Sequence, residues 1–220
     1  MAVQNISTIG FIGAGRIGSA VAEVALRHGY RVVLSNSRGP ETLTDVIAKL
    51  GEGASAATAE GAATAGDVVV VTIPLKHIGA VPVAPLDGKV VIDTNNYYPQ
   101  RDGQIASLDA GEATSAGLLQ AHLPGSHVVK AFNHIFSGHI PAQSAPAGTP
   151  GRRALSIFGD DASARATVEA LLDDLGFDVV DGGALADSWR IEPGTPGYGA
   201  EDDGPQLTQH LAEAKRDVHA

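Results

Sequence analysis

The chain has 220 residues, enough to bury one full core or one domain with a small second lobe, and its 44% hydrophobic and 18% charged residues exclude a disordered chain. A net charge of -10 argues against nucleic acid and anionic membranes, whose ligands carry basic patches. There is no cysteine, which removes disulfides, iron–sulfur clusters and thiolate catalysis.

Ser7 to Ile12 reads as a buried strand running into a cluster of glycines. It starts too early to leave room for a signal peptide ahead of it. The longest apolar run, Val68 to Leu75, is far below the ~20 residues a membrane span needs. A cytoplasmic protein is therefore expected. From Arg16 to His28 the positions Ile17, Ala20, Val21, Val24 and His28 follow helical spacing, and Gly29 suits the stop. Arg31 to Leu34 is a second strand. Pro40 opens a helix striped by Leu43, Val46, Ile47 and Leu50 and closed by Gly51. Ala54 to Ala57 predicts a short strand, with a poor Ala/Gly helix up to Ala65.

Two plain buried strands follow, "DVVVVTIP" and "KVVIDTNN", then one helix of uncertain start within Leu108 to Leu123, then the strand "HVVKAF". Valine-rich strands alternating with helices predict a parallel sheet covered on both faces, a doubly wound α/β fold. "FSGHIPAQSAPAGTPGRR", Phe136 to Arg153, is the longest stretch without a structural signal, and the place of its Ser137 to Gly151 part suggests a mobile lid. Strand "ALSIFG", a helix striped by Val168, Leu171, Leu172 and Leu175, and strand "FDVVD" read as a β-α-β extension of the same sheet. The polar tail that ends in Val218 to Ala220 carries little signal. The expected division is a nucleotide-binding domain over residues 1–135 and a small C-terminal lobe with loop and tail over 136–220.

Gly13-Ala14-Gly15-Arg16-Ile17-Gly18 fits G-x-G-x-x-G directly between a strand and a helix. In that setting each glycine has a mechanical role. Gly13 permits the turn, Gly15 lets the backbone approach a pyrophosphate, and Gly18 lets helix and strand pack closely. The helix start then faces the phosphates with free N–H groups and its dipole. Beyond the second strand the sequence reads Ser35-Asn36-Ser37-Arg38, with no carboxylate before Glu41. An acid there would bind the ribose 2′-hydroxyl of NAD; hydroxyls, an amide and a guanidinium suit the 2′-phosphate of NADP(H).

Thr72, Ile73, Pro74 and His77 end the fourth strand, and Asn95 and Asn96 end the fifth, on the ligand edge of an open sheet. Asn95 and Asn96 either hydrogen-bond ribose or carboxamide or serve a plain turn, and His77 is either a cofactor contact or a surface residue. Asn133 and His134, ending the sixth strand, are the candidates to face the nicotinamide or its reaction partner. His134, Tyr97, Tyr98 and Lys130 are the candidate proton donors for a carbonyl or imine substrate. No metal site is expected, because the histidines at 122, 127, 134 and 139 lack ligand spacing and a carboxylate set.

The ordered segments "TIGFIGAGRIGSAVA", "LSNSRGPETL", "VVVVTIPLKH", "VVIDTNNYYP", "VVKAFNHI" and "DGGALADSWRIEPGTP" together resemble the NADPH-dependent F-420 reductase family, from about Thr8 to Pro196. The resemblance implies a Rossmann domain, a small C-terminal lobe, and hydride exchange between NADP(H) and the deazaflavin coenzyme F-420. It implies that Gly13, Gly15, Arg16, Ile17, Ser37, Arg38, Ile73, Pro74 and His77 line the NADP site, with Asn133 and His134 near the deazaflavin. The glycine-rich, acidic stretch Gly197 to Asp203 departs from the apolar helical stretch that the family pattern leads one to expect there. Two other readings stand beside this one: an NADPH-dependent reductase of a small carbonyl, imine or flavin, and a nonenzymatic NADPH-sensing protein. The expected partner is a small-molecule redox partner, and the oligomeric state is open, with a homodimer among the options.

Overall fold

A computed structural model describes residues 6–216. One eight-stranded sheet runs through them in the order β3-β2-β1-β4-β5-β6-β7-β8. The first six are β1 (Thr8–Ile12), β2 (Arg31–Ser35), β3 (Ala54–Ala56), β4 (Val68–Val71), β5 (Val90–Asp93) and β6 (His127–Lys130). All five pairings among them are parallel. Strand order reverses between β1 and β4, and the crevice at such a reversal is where open α/β sheets bind ligands.

Both faces are apolar because the strands are valine-rich throughout, and alternate residues feed opposite cores. Ile9, Phe11, Val68, Val70, Ile92 and Val129 pack with helices α1 (Arg16–Arg27) and α8 (Ala162–Asp174). Ile12, Val69, Val71, Val91 and Val128 pack with Ala63, Ala116 and Leu119 of helices α3 (Ala59–Ala65) and α6 (Ser115–His122). The Ala/Gly composition that makes α3 a poor helix serves its packing. A Cβ on Gly10 of β1 would lie 2.2 Å from the Ala62 carbonyl oxygen, so helix and strand touch backbone to backbone. Helix α2 (Thr44–Leu50) follows a 3-10 turn at Pro40–Leu43, rather than forming one helix from Pro40.

Further expectations need correction. The one helix expected within Leu108 to Leu123 is α6, but two unexpected short helices, α4 (Pro99–Asp102) and α5 (Ala106–Asp109), precede it. Gly103 and Gly111, both at positive φ, break the run. The stretch from Phe136 to Arg153 is not structureless. Helix α7 (His139–Gln143) lies within it and packs on α1, and its Ile140 is fully buried. The Ser144 hydroxyl donates to the Leu175 carbonyl at 2.8 Å and the Ala145 N–H to the Gly176 carbonyl at 3.0 Å. A segment held at these points is a strut, and its Gly/Pro/Ala composition hid a single anchoring isoleucine. Finally, the tail contains helix α9 (Gly204–Glu213), started by a reciprocal capping box between Asp203 and Gln206 with Pro205 in the first turn. Its Leu207 and Leu211 cover β7 (Ala154–Gly159). The Asp203–Gln206 pair was the sequence signal for it. Val218 to Ala220 lie outside the described residues.

Strand β7 joins β6 antiparallel, where a continuation of the parallel sheet was expected; β8 (Asp178–Asp181) then pairs with β7 in parallel. Only Val129–Gly159 and Lys130–Phe158 link β6 to β7. The rest of β7 projects past the C-terminal end of β6, beside residues 132–134, where the Ser156 N–H donates to His134 Nε2 at 3.3 Å. The C-terminal lobe is thereby built against the ligand edge of the sheet and becomes a wall of the site.

Candidate active site

The register aligns Ile12, Val71, Asp93 and Lys130 across the sheet, so the residues after them share one edge. At that edge Gly13 has φ +111°, and a Cβ there would meet the Thr72 carbonyl oxygen at 2.3 Å. A Cβ on Gly18 would meet the Gly13 oxygen at 2.5 Å and Thr72 Cγ2 at 2.7 Å. These two glycines are dictated by the turn and by packing. Gly15 is different: nothing lies within 4 Å of a Cβ built on it, and no side chain caps the helix it opens. Its backbone faces an open cleft with the helix dipole behind it. Ala14 points instead against the core, and its carbonyl accepts from the Ser19 hydroxyl at 3.3 Å.

Gly13, Gly15, Ser35, Asn36, Ser37, Thr72, Ile73, Pro74 and His77 line one cleft of about 350 Å³. Their polar groups are not equivalent. The Ser35 hydroxyl is fully buried and donates to the Phe11 carbonyl at 2.8 Å, so it ties β2 to β1 and has no proton left for a phosphate. Asn36 shapes the turn: its amide donates to Thr42 Oγ1 at 2.8 Å and its oxygen accepts the Arg38 N–H at 2.9 Å. Ser37 is exposed and lines the mouth; Arg38 follows it, exposed but outside the cleft lining, and among the described residues it is in no salt bridge. His77 sits on the 3-10 turn Leu75–Ala80 with its ring exposed to the same cleft.

Past Gly15, Thr72, Ile73 and Pro74, which the two share, a second cleft of about 500 Å³ opens. Arg16, Ile17, Thr94, Asn95 and Asn96 line the side next to the glycine turn, and Tyr98, Arg101, Phe132, Asn133, Phe136 and Tyr198 the far side. Phe136 is 57% exposed, an unusual position for a phenylalanine. Phe132 adopts φ +59°, the one positive φ outside glycine among the described residues, and this bends the chain as it leaves β6.

Beneath this cleft lies a buried polar network. Lys130 Nζ, fully buried, contacts Asp93 Oδ2 at 3.0 Å, the Ser115 hydroxyl oxygen at 2.7 Å, and the Asn95 carbonyl. Ser115 donates in turn to Glu192 at 2.7 Å. Burial pushes the Asp93 carboxyl up from its ordinary value, against the pull of Lys130. Lys130 is therefore a structural cation joining β5, β6, α6 and the C-terminal lobe, and its ammonium is not free to donate to a substrate. The Tyr97 hydroxyl is engaged as well: it donates to Asp109 at 2.8 Å and accepts from the Ile105 N–H at 2.9 Å, outside the cleft.

The three asparagines and His134 divide in the same way. Asn96 and Asn133 interlock through two hydrogen bonds of 2.7 and 3.0 Å, and the Asn133 amide also donates to the Ile191 carbonyl at 2.9 Å. Asn133 thus reaches the cleft wall with its donors already spent. His134 is 1% exposed, does not line the cleft, and is held neutral by burial and by Arg153 and Lys130 nearby, its pKa pushed down to about 3. Asn95 is the exception. Its Nδ2 is buried with no partner, on the wall of the cleft. An orphaned buried donor costs about 1–3 kcal/mol, which an acceptor on a bound ligand would recover.

Tyr198 went unrecognised in the sequence, because it belongs to the stretch that departs from the family pattern. The structure fixes that stretch firmly: the Gly199 N–H donates to the His134 carbonyl at 3.0 Å, Arg153 to the Ala200 carbonyl, and the Ala154 N–H to the Asp202 carbonyl at 2.9 Å. Tyr198 Oη then lies 2.5 Å from Tyr98 Oη. No group of three metal-ligating side chains is found among the described residues, and no helix there is long and apolar enough to cross a membrane.

The family described as NADP oxidoreductase coenzyme F420-dependent matches residues 8–97, which hold the whole glycine cleft. The crystal structure of a hypothetical protein from Sinorhizobium meliloti is 31% identical, with 91% of this chain and 96% of that one covered at a TM-score of 0.76. A putative F420-dependent NADP reductase from Arthrobacter sp. shares the fold at 20% identity, with 84% and 87% covered and a TM-score of 0.70. Metalloreductase STEAP3 of Rattus norvegicus is 27% identical over 186 residues, 84% of this chain but 35% of the relative. The chain spans between a third and about half of the length of the curated relatives it matches. The glycine turn, the strand order and the matched residues agree: residues 8–97 of the chain belong to the NADP oxidoreductase family described as coenzyme F420-dependent.

Proposed function

We propose that the protein transfers hydride between NADP(H) and the deazaflavin coenzyme F-420. The observation that carries this reading is the continuity of the two clefts across Gly15 and residues 72–74. The uncapped helix start and the open space over Gly15 fit a pyrophosphate, and Ser37 and Arg38 fit a 2′-phosphate. The unpartnered Asn95 amide fits a carboxamide or ribose oxygen deeper in. NADPH bound in this way supplies the hydride; the chain supplies alignment and excludes water. The exposed Phe136 and the rings of Phe132, Tyr98 and Tyr198 offer a planar acceptor an aromatic wall. An open second cleft of this size favours an enzyme over a nonenzymatic sensor.

A second reading, reduction of a small carbonyl, imine or flavin by NADPH, draws support from the tyrosine hydroxyls on that wall. A single-turnover experiment separates the two. NADPH absorbance is followed after mixing with F-420, FMN or 1-pyrroline, with EDTA present. Rapid decay with F-420 supports the first reading. Decay only with FMN or the imine replaces it with the second.

A further inference from the structure

We infer that Tyr98 and Tyr198 together form the proton donor for the second substrate, placed on the cleft wall by two segments a hundred residues apart in sequence. The inference rests on the oxidoreductase reading above and extends it to the side of the reaction the glycine motif does not reach. Two hydroxyls at 2.5 Å share one hydrogen bond, and neither has another partner among the described residues. Two phenols carry two protons, and the mutual bond uses one. The other is available to whatever enters the cleft.

The remaining candidates on this edge are committed elsewhere: Lys130 to Asp93 and Ser115, His134 to Ser156 and Asn133, Tyr97 to Asp109, and Asn133 to Ile191. Burial and the Tyr98 hydroxyl push the Tyr198 phenol above its ordinary value, so it stays protonated and serves as a donor. The Arg101 guanidinium lies 4.8 Å from the centre of the Tyr98 ring and on the same wall, where it would stabilise the negative charge left by proton transfer.

The chemistry balances as a two-electron reduction. The acceptor atom, carbon in a deazaflavin, carbonyl or imine and nitrogen in a flavin, gains hydride from reduced nicotinamide, and the displaced π pair moves through the conjugated system to a ring nitrogen, imine nitrogen or carbonyl oxygen. A tyrosine hydroxyl gives its proton to that atom, forming the N–H or O–H bond. It recovers a proton from its neighbour, which is refilled from water at the mouth of the cleft. This assigns the second substrate a chemical class: an acceptor with a basic nitrogen or oxygen bonded to, or in conjugation with, the atom that receives hydride.

The test uses Tyr98→Phe, Tyr198→Phe and the double variant, which keep the rings and remove the hydroxyls. Melting temperature should match that of wild type, and NADPH affinity should stay within about threefold of it. Binding of oxidised F-420 in the presence of NADP+, which requires no turnover, should weaken by about 3- to 10-fold through the lost hydrogen bond. Single-turnover transfer to F-420, FMN or 1-pyrroline should slow by about 10-fold in each single variant and 100-fold or more in the double. Either single variant suffices should the other fail to fold. Wild-type transfer matched by the double variant overturns this inference alone. Wild-type protein that transfers hydride to none of the three overturns the oxidoreductase reading, and this inference with it.

Discussion

The two halves of the cleft are made by different means. Around Gly13, Gly15 and Gly18 the surface is backbone, and what matters is the space that side chains leave. On the opposite wall the surface is side chain: Tyr98 reaches Tyr198, Asn96 locks Asn133, and Lys130 ties Asp93 to Ser115 beneath them. A backbone site is encoded in a few consecutive residues and keeps its form if the turn does. A side-chain wall depends on two distant segments arriving together, so it is free to change with the substrate while the nucleotide half stays as it is.

The sharpest way to separate the halves is at the glycines themselves. Gly15→Val should fold normally, because its side chain enters open space, yet lose about 100-fold or more in NADPH affinity, roughly 3 kcal/mol. Gly13→Val, with φ +111° and a carbonyl at 2.3 Å, should fail to give stable protein. Circular dichroism and nucleotide titration on the two variants should give opposite patterns.

Beneath the far wall, Lys130→Met strands the Asp93 carboxylate in the core, and removing one partner of a buried pair costs about 3–5 kcal/mol. Chemical denaturation should show this loss, and replacing Asp93 by Asn in the same chain should recover much of it. If Lys130→Met is as stable as wild type, the network is not what joins the lobe to the sheet.

His134 gives the wall a pH dependence of its own. The folded protein keeps it neutral down to about 3, whereas the unfolded chain takes up a proton near the ordinary value of 6.5. Its contribution is therefore intact above 6.5 and drains as pH falls towards 3, by about 1.4 kcal/mol per pH unit or roughly 2 kcal/mol by pH 5. Urea unfolding at pH 7 and pH 5 should show His134→Gln losing less stability than wild type by about that amount.

An effect of similar size, confined to nucleotide choice, belongs to the nucleotide mouth. Arg38→Ala removes a charged hydrogen bond worth about 1.5–3 kcal/mol and should cut the preference for NADPH over NADH by roughly 10- to 150-fold without affecting stability. Titration of both nucleotides checks it, and an unchanged ratio would leave Ser37 as the discriminating group.

The same division governs what could be read from the sequence. Gly13, Gly15 and Gly18 were legible because their spacing is set by one local turn between a strand and a helix. Strand identity followed from valine runs, since burial on both faces demands them. Ser35, Asn133 and His134 were read as functional from their places at strand ends, but which way a strand-end side chain turns depends on its partners: Phe11 for Ser35, Ile191 for Asn133, Ser156 for His134. Those partners lie on other elements, and nothing local marks them. Tyr198 was hidden for the same reason, in a turn whose composition suggested a lost site rather than a rebuilt one. Helix α7 was missed because one buried isoleucine carries no periodicity.

Whether the continuous cleft along β1, β4 and β5 is an NADPH site is decided by calorimetric titration of wild-type protein with NADPH and with NADH. Saturable one-to-one binding of NADPH is expected, at least about tenfold tighter than NADH, as a single charged hydrogen bond to the 2′-phosphate requires. No binding of either nucleotide, or tighter binding of NADH, would contradict the assignment.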